Sequence, residues 1–223
     1  MWPNLLVILL GYLLGSIPFA YLITRVLTGQ DIRVEGEGNV GARNVWHTVG
    51  VVPGVLTALL DMGKGTAAYW LTQKWAVPSW AFYLTAAALM LGHGFPIWLR
   101  FRGGKGLAAA FGFLLPMWPW SVLGTAVVFL LARLFIPDFN LAFAVGGAAF
   151  PFLTLIEGNN GWGVLFICCF LGMAGIKKAL DLPHERAIRA RSGWVEKSSP
   201  RPEVTPPQED LSTPAVERRR HVR

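Results

Sequence analysis

Gly36-Glu37-Gly38-Asn39-Val40-Gly41-Ala42-Arg43-Asn44 is a polar, glycine-rich stretch between two long apolar runs, Trp2–Leu27 and Val51–Trp75. Its reading decides the fold: it is a loop joining two membrane-crossing helices. Glycine lacks Cβ, so the backbone at Gly36, Gly38 and Gly41 can take positive φ and approach a ligand closely. Successive N–H groups in such a loop can converge on an anion. Asn39, Arg43 and Asn44 add side-chain donors, and the guanidinium fork suits phosphate. A flexible connector is the plainer reading of an isolated loop of this kind. Here two further segments of similar chemistry follow along the chain.

The composition is that of a membrane protein. The 223 residues include 10 Trp, 14 Phe and 25 Gly, only 15% are charged, and the mean hydropathy is +0.46. A net charge of +7 raises nucleic acid as a partner. However, many of the cations lie in the C-terminal tail or flank apolar runs, so lipid headgroups and the positive-inside rule account for them and no nucleic-acid partner is expected. Cys168 and Cys169 are adjacent in an apolar run and read as small buried hydrophobes rather than a disulfide or metal pair.

Seven apolar segments are expected to span or enter the bilayer: Trp2–Leu27, Val51–Trp75, Pro78–Leu99, Leu107–Trp120, Ser121–Ile136, Leu141–Ile156 and Trp162–Leu180. No cation precedes the first, so a cleaved signal peptide is not expected. Gly15-Ser16-Ile17-Pro18 should kink it. Arg25 and Arg33 follow it, which puts the N-terminus outside and the Gly36 loop in the cytoplasm. Leu107–Trp120 is short for a span and reads as tilted or partly inserted, with Pro116 and Pro119 at its end. Seven segments place the C-terminus inside. The cations agree: Arg25, Arg33, Arg43, Arg100, Arg102, Lys105 and Arg133 fall in inner loops, and Lys74 is the chief outer one. The expected organisation is a transmembrane domain over 1–180, a basic interfacial segment over 181–196 and a disordered tail over 197–223, rich in Pro, Ser, Glu and Arg and ending in Arg218-Arg219-Arg220. The chain carries no internal repeat.

Two more clusters accompany the first loop. Asp61-Met62-Gly63-Lys64-Gly65 puts an acid and a base three residues apart on one helix face at membrane depth. They can neutralise each other as a packing pair, or serve a site facing the bundle interior. Arg100-Phe101-Arg102-Gly103-Gly104-Lys105-Gly106 sits between two spans. Positive-inside accounts for Arg100 and Arg102 but not for a lysine bracketed by glycines. Three such clusters on one membrane face suit a small phosphorylated substrate, and the apolar bundle suits an acyl chain. Lys105 and Lys64 are candidates to hold phosphate oxygens and stabilise an oxyanion, with proximity of two bound substrates supplying much of the rate. The chain has no His-Glu-x-x-His, no metal-spaced Cys pair, no Gly-x-Ser-x-Gly elbow and no His-x4-Asp dyad. His93 and His184 read on their own as satisfied interface histidines.

In this order, Gly15-Ser-Ile-Pro, Gly36-x-Gly-Asn-x-Gly-Ala-x-Asn, Asp61-x-x-Lys-Gly, His93-x-Phe-Pro and Phe101-Arg-Gly-Gly-Lys-Gly resemble the bacterial acyl-phosphate-dependent glycerol-3-phosphate acyltransferase family (the PlsY type), over roughly residues 1–190. The resemblance implies an all-α, seven-helix integral inner-membrane enzyme. Such an enzyme transfers an acyl group from acyl phosphate to the 1-hydroxyl of glycerol 3-phosphate, giving lysophosphatidate for phospholipid synthesis, with no cofactor or metal. Expected partners are the two substrates, membrane lipids and the enzyme that makes acyl phosphate. Gly36, Gly38, Asn39, Gly41, Ala42 and Asn44 match the first motif, Lys64 the second, and Gly103, Gly104, Lys105 and Gly106 the loop, with Arg102 beside it. His184 matches the histidine of a C-terminal motif.

The chain departs from that pattern where the family has Ser (here Glu37), Thr (Arg43), Arg (His47) and Asn (Ala187). A carboxylate at 37 repels a phosphate held by the same loop. The expected compensation is pairing of Glu37 with Arg43, with a protonated His47 replacing the lost cation. An alternative reading keeps the fold but not the catalysis: a diverged protein binding phospholipid or acyl phosphate. A third, a small transporter, predicts polar residues lining several spans, and Asp61 and Lys64 are too few.

Overall fold

The structure is a computed structural model, described here for residues 2–158 and 161–192. The described residues are helical, with no strand among them. In chain order the helices are α1 (Trp2–Ser16), α2 (Phe19–Thr28), α3 (Ala42–Thr48), α4 (Val51–Lys74), α5 (Ser79–Gly94), α6 (Leu107–Leu114), α7 (Pro119–Phe135), α8 (Phe139–Ile156) and α9 (Gly161–Ser192), with a 3-10 turn at Ile97–Leu99. Four helical stretches are long and apolar enough to cross a membrane: Trp2–Thr28, Ser79–Leu99, Phe139–Ile156 and Gly161–Arg191. Pro119–Phe135 is apolar but shorter, and α6, at 8 residues, rises only ~12 Å and cannot cross a bilayer alone. The chain thus forms an all-helical membrane bundle in which length and hydropathy credit four spans, against the seven expected.

The kink expected at Pro18 is a full break between α1 and α2. Proline has no N–H and its ring excludes the preceding turn, so carbonyls near it lose their helical partners. In an apolar bundle those carbonyls need another donor. Lys64 of α4 supplies it: its Nζ lies 2.9 Å from the Gly15 carbonyl oxygen and 2.8 Å from that of Ile17, and 2.8 Å from Asp61 Oδ1. Asp61 and Lys64 are both almost wholly buried. One buried ion pair therefore neutralises itself and caps a broken helix.

Helices approach closely where glycine removes the side chain. A methyl group at Gly15 of α1 would overlap the Leu89 carbonyl of α5, and one at Gly92 would overlap the Tyr12 carbonyl. Gly65 of α4 and Gly112 of α6 meet the Ala109 and Met62 carbonyls in the same way, and Thr66 Oγ1 donates to the Gly112 carbonyl at 2.8 Å. In lipid, packing of this kind rather than water exclusion draws helices together. Aromatic and aliphatic side chains fill the remaining core, including Leu89, Phe113, Leu114, Trp118, Phe150 and Ile167. Between α6, α8 and α9 they leave a small, partly open apolar pocket bordered by Leu107, Phe111, Leu114, Phe150, Ile167 and Phe170.

α9 runs 32 residues without a break, passing through Pro183 and on into the basic segment. It is ~48 Å long, against a hydrocarbon core of ~30 Å, so its C-terminal turns project past the apolar layer. Residues 193–196 of the basic segment and the expected tail, 197–223, lie outside the described residues. Cys168 and Cys169, expected to be buried, are instead exposed free thiols. The core side of α9 at that level is taken by Ile167 and Phe170, one helical turn apart, which leaves the two residues between them facing outward.

Removing one partner from a buried ion pair strands the other charge. Lys64→Met should therefore destabilise the protein by about 3–5 kcal/mol, whereas Lys64→Met combined with Asp61→Leu should recover part of that loss. Thermal unfolding in detergent, followed by tryptophan fluorescence, checks this. A Lys64→Met protein melting at the wild-type temperature would refute the capping role.

Candidate active site

The Gly36–Asn44 loop is a packed structure rather than a loose connector. Ile32, Val40, Val45 and Leu99 form a small core beneath it with Ala20. Asn44, fully buried, ties it together. Its Nδ2 lies 3.2, 3.0 and 2.9 Å from the carbonyls of Ile32, Glu35 and Asn39, and its Oδ1 accepts the Glu37 N–H at 2.9 Å. Gly36 (φ +55°) and Gly38 (φ +69°) both adopt left-handed backbone that side chains resist. A Cβ at Gly36 would strike the Asn44 amide, and one at Gly38 would press on Ile188 of α9. The Gly38 N–H donates to Glu35 O at 2.8 Å and the Gly41 N–H to Asn39 O at 3.1 Å. The glycines and Asn44 thus fix the shape of the loop.

The second loop is anchored on the end of α5. The Gly103 and Gly104 N–H groups donate to the Gly94 and His93 carbonyls, each at 3.1 Å. A methyl group at Gly103 would overlap the His93 carbonyl and the Pro96 ring, and one at Gly104 would overlap the Val40 carbonyl and the His93 imidazole. Gly104 is therefore the point where the two loops touch. Gly106 (φ +80°) starts α6 in left-handed backbone. Arg100 and Phe101 also have positive φ, at +53° and +62°, and Arg102 is exposed.

Charged side chains close the assembly from α3, the two loops and the C-terminal turns of α9. Glu37, only 1% exposed, pairs with Arg43 at 3.3 Å and with Arg189 at 3.5 Å. Glu185, also 1% exposed, pairs with Lys105 at 3.2 Å and with Lys178, and Arg189 lies 4.0 Å away. The Arg43 guanidinium stacks 4.3 Å from the Phe139 ring centroid. Burial pushes the Lys105 ammonium below the ordinary lysine range, with Lys178 adding to that, while Glu185 chiefly opposes it.

The other candidates take separate places. Lys64 has three oxygens at hydrogen-bond distance and is committed to the helix break, so it braces the site from behind. It reaches the loops through Asp61: His93 Nδ1 is 3.6 Å from Asp61 Oδ1, and the His93 ring abuts Gly104. His47 is exposed on the last turn of α3, four residues after Arg43 and hence on the same face. The His184 Nε2 is 2.9 Å from the Arg33 carbonyl, pinning α9 to the segment that precedes the first loop. Asn39 is buried beside Gly41. Glu185, Lys178 and Arg189 were not singled out from the sequence. Only the basic character of their segment hinted at them.

The family model described as glycerol-3-phosphate acyltransferase matches residues 5–184. Glycerol-3-phosphate acyltransferase 1 of Dehalococcoides mccartyi is 43% identical over 186 residues, covering 78% of this chain and 86% of the relative. The glycerol-3-phosphate acyltransferase of Desulforamulus reducens is 36% identical over 163 residues, covering 73% and 82%. Among solved structures, the glycerol 3-phosphate form of PlsY (YgiH), an integral membrane glycerol 3-phosphate acyltransferase, superposes with a TM-score of 0.73 at 29% identity, covering 85% of this chain and 92% of that one. With two relatives above 30% identity and a family model running through both glycine loops to His184, the chain belongs to the glycerol-3-phosphate acyltransferase family.

Proposed function

We propose that this protein transfers an acyl group from acyl phosphate to the 1-hydroxyl of glycerol 3-phosphate, producing lysophosphatidate for phospholipid synthesis. The acyltransferase activity on glycerol 3-phosphate follows the family; the acyl-phosphate donor and the residue roles are our reading. The observation that carries it is the position of Lys105. It is a half-buried ammonium, its side chain 14% exposed, where two glycine loops meet α9, two residues before Leu107 at the edge of the apolar pocket. A phosphate can be held there while an acyl chain enters the apolar layer.

In this reading Lys105 binds phosphate and stabilises charge as it develops on the leaving group. Arg43 and Arg102 extend the cationic surface, and His47 adds a proton-dependent charge on the Arg43 face of α3. Gly36, Gly38, Asn39, Gly41, Gly103 and Gly104 set the loop shapes so that backbone comes close to the substrates. Asn44 and His184 hold the first loop and α9 in register, and Lys64 holds the helix break behind them. The hydroxyl oxygen attacks the acyl carbon and the bond from that carbon to the phosphate oxygen breaks. Phosphate departs with the electron pair, and the hydroxyl proton ends on it. The chemistry needs placement and charge rather than a protein nucleophile. The proposed setting is the bacterial inner membrane, with seven apolar segments, the N-terminus outside and the glycine loops and C-terminus in the cytoplasm. A site on that face is open to a partner enzyme that supplies acyl phosphate, the further partner of this reading.

Purified protein given palmitoyl phosphate and glycerol 3-phosphate should release inorganic phosphate in a glycerol-3-phosphate-dependent way. Lys105→Ala should lower the rate by a factor of about 100 or more while leaving the protein folded. A folded Lys105→Ala protein with wild-type rates would sink the assignment.

Lys105 acts protonated, so kcat/KM should be full at low pH and fall as pH rises through its lowered pKa, below the ~10.4 of an exposed lysine. Lys105→Arg, whose guanidinium stays charged, should remove that alkaline fall from whatever activity it retains. An unchanged fall in the arginine variant would assign the titration to another group.

Glu37 serves as counter-ion to Arg43 and Arg189. Glu37→Ser should therefore lower activity when made alone, and Glu37→Ser with Arg43→Thr should restore part of it. A single Glu37→Ser protein faster than wild type would show that the carboxylate merely repels phosphate.

A further inference from the structure

Glu185 stands between His184 and Ala187, at a position of the C-terminal motif to which the resemblance gives no role, yet it makes the closest charged contact to Lys105 among those described. Its side chain is 2% exposed, with Oε1 at 3.2 Å from Lys105 Nζ. Its Oε2 takes the Lys178 ammonium, and Arg189 stands 4.0 Å off. A buried carboxylate needs cations around it to be tolerated. The relation is reciprocal. Lys105 has a four-carbon stem on a loop bounded by Gly104 and Gly106, so its ammonium has little else to fix it. Glu185 stands on α9, which is anchored nearby by the His184 contact to Arg33.

We propose that Glu185 is the positioning residue for Lys105, holding its ammonium at the junction of the second loop and α9 so that an incoming phosphate meets a charge already in place. This rests on the reading of Lys105 as a phosphate-binding group. Glu185 itself is buried behind the ammonium and need not touch substrate. From α9, Lys105 faces Glu185 and Lys178, and from the first loop the more distant Glu37. Glu185 faces Lys105, Lys178 and Arg189. Without the Glu185 charge, burial and Lys178 both push the Lys105 pKa down, and Glu37 is left to oppose them.

The test is the pH profile of glycerol-3-phosphate-dependent phosphate release by Glu185→Gln, Glu185→Asp and Lys105→Ala proteins, each checked for a wild-type elution profile in detergent. Glu185→Gln should lower kcat/KM and move its alkaline limb to lower pH by about one unit or more, because an ion pair is lost. Glu185→Asp keeps the charge but draws the ammonium back by about a methylene. It should leave the limb in place and lower kcat about tenfold, as a misplacement of ~1 Å does. If Glu185→Gln fails to fold, Glu185→Asp carries the test, and wild-type kcat in that variant would overturn the positioning role. A Glu185→Gln protein with an unmoved limb, beside an inactive Lys105→Ala, would overturn this inference and leave the Lys105 reading intact. An active Lys105→Ala would overturn both.

Discussion

A helix broken inside an apolar bundle leaves carbonyl oxygens that neither water nor lipid can satisfy. The rest of this structure depends on how that problem is met between α1 and α2. Lys64 reaches from α4 to the Gly15 and Ile17 carbonyls, and Asp61 balances its charge. Because the break is capped, the chain can turn sharply and send α2 and the first glycine loop off at a fixed place. Because Asp61 also faces His93, the same cluster supports the end of α5, where the second loop is anchored. The contacts of this pair are with the helix break and with His93, whose ring abuts Gly104 where the two loops meet.

Glycine in this chain does two jobs that need the same missing Cβ. Along α1, α4, α5 and α6 it lets backbones pack against one another, which is how helices associate where water exclusion gives nothing. In the loops it lets Val40, His93 and Gly104 come together and allows left-handed backbone at Gly36, Gly38 and Gly106. The loops are therefore stiff. A stiff loop holds its charged side chains where the fold puts them, so little conformational entropy remains to be lost when a phosphate arrives.

Much of this was legible in the sequence. The apolar runs, a disturbance of the first helix near Pro18 (expected as a kink, found as a break), the Asp61–Lys64 pair and the Glu37–Arg43 pair all depend on residues near one another in the chain, and local spacing carries such information. The Asp61–Lys64 pair shows the limit: spacing announced an ion pair but not whether it faced a ligand or two carbonyls. Glu185 and Arg189 were not legible, because their partners Lys105 and Glu37 lie 80 and 152 residues away and only the tertiary fold joins them. The outward turn of Cys168 and Cys169 was hidden for a related reason. In lipid an exposed residue can be as apolar as a buried one, so hydropathy does not separate the two faces of α9. Nor did a proline in the apolar-to-basic transition predict that α9 would run straight through Pro183.

The carboxylate in the first loop is best understood by counting charge around the site rather than at one position. Glu37 and Glu185 stand among Arg43, Lys105, Lys178 and Arg189, an excess of two positive charges when all are ionised. Field strength at a phosphate depends on that excess and on how well the cations are held. Each carboxylate bridges at least two cations, which fixes long side chains that would otherwise sample many rotamers. Arg189 touches both carboxylates and so couples the first loop to α9. Serine at position 37 would remove the carboxylate that Arg43 and Arg189 share, leaving Glu185 as the acid facing Arg189. In the proposed reading the glutamate is the counter-ion that accompanies an arginine at 43. The pair preserves a positive site while altering which atoms hold it rigid, so a substitution that reads as damage at one residue is consistent with function at the level of the cluster.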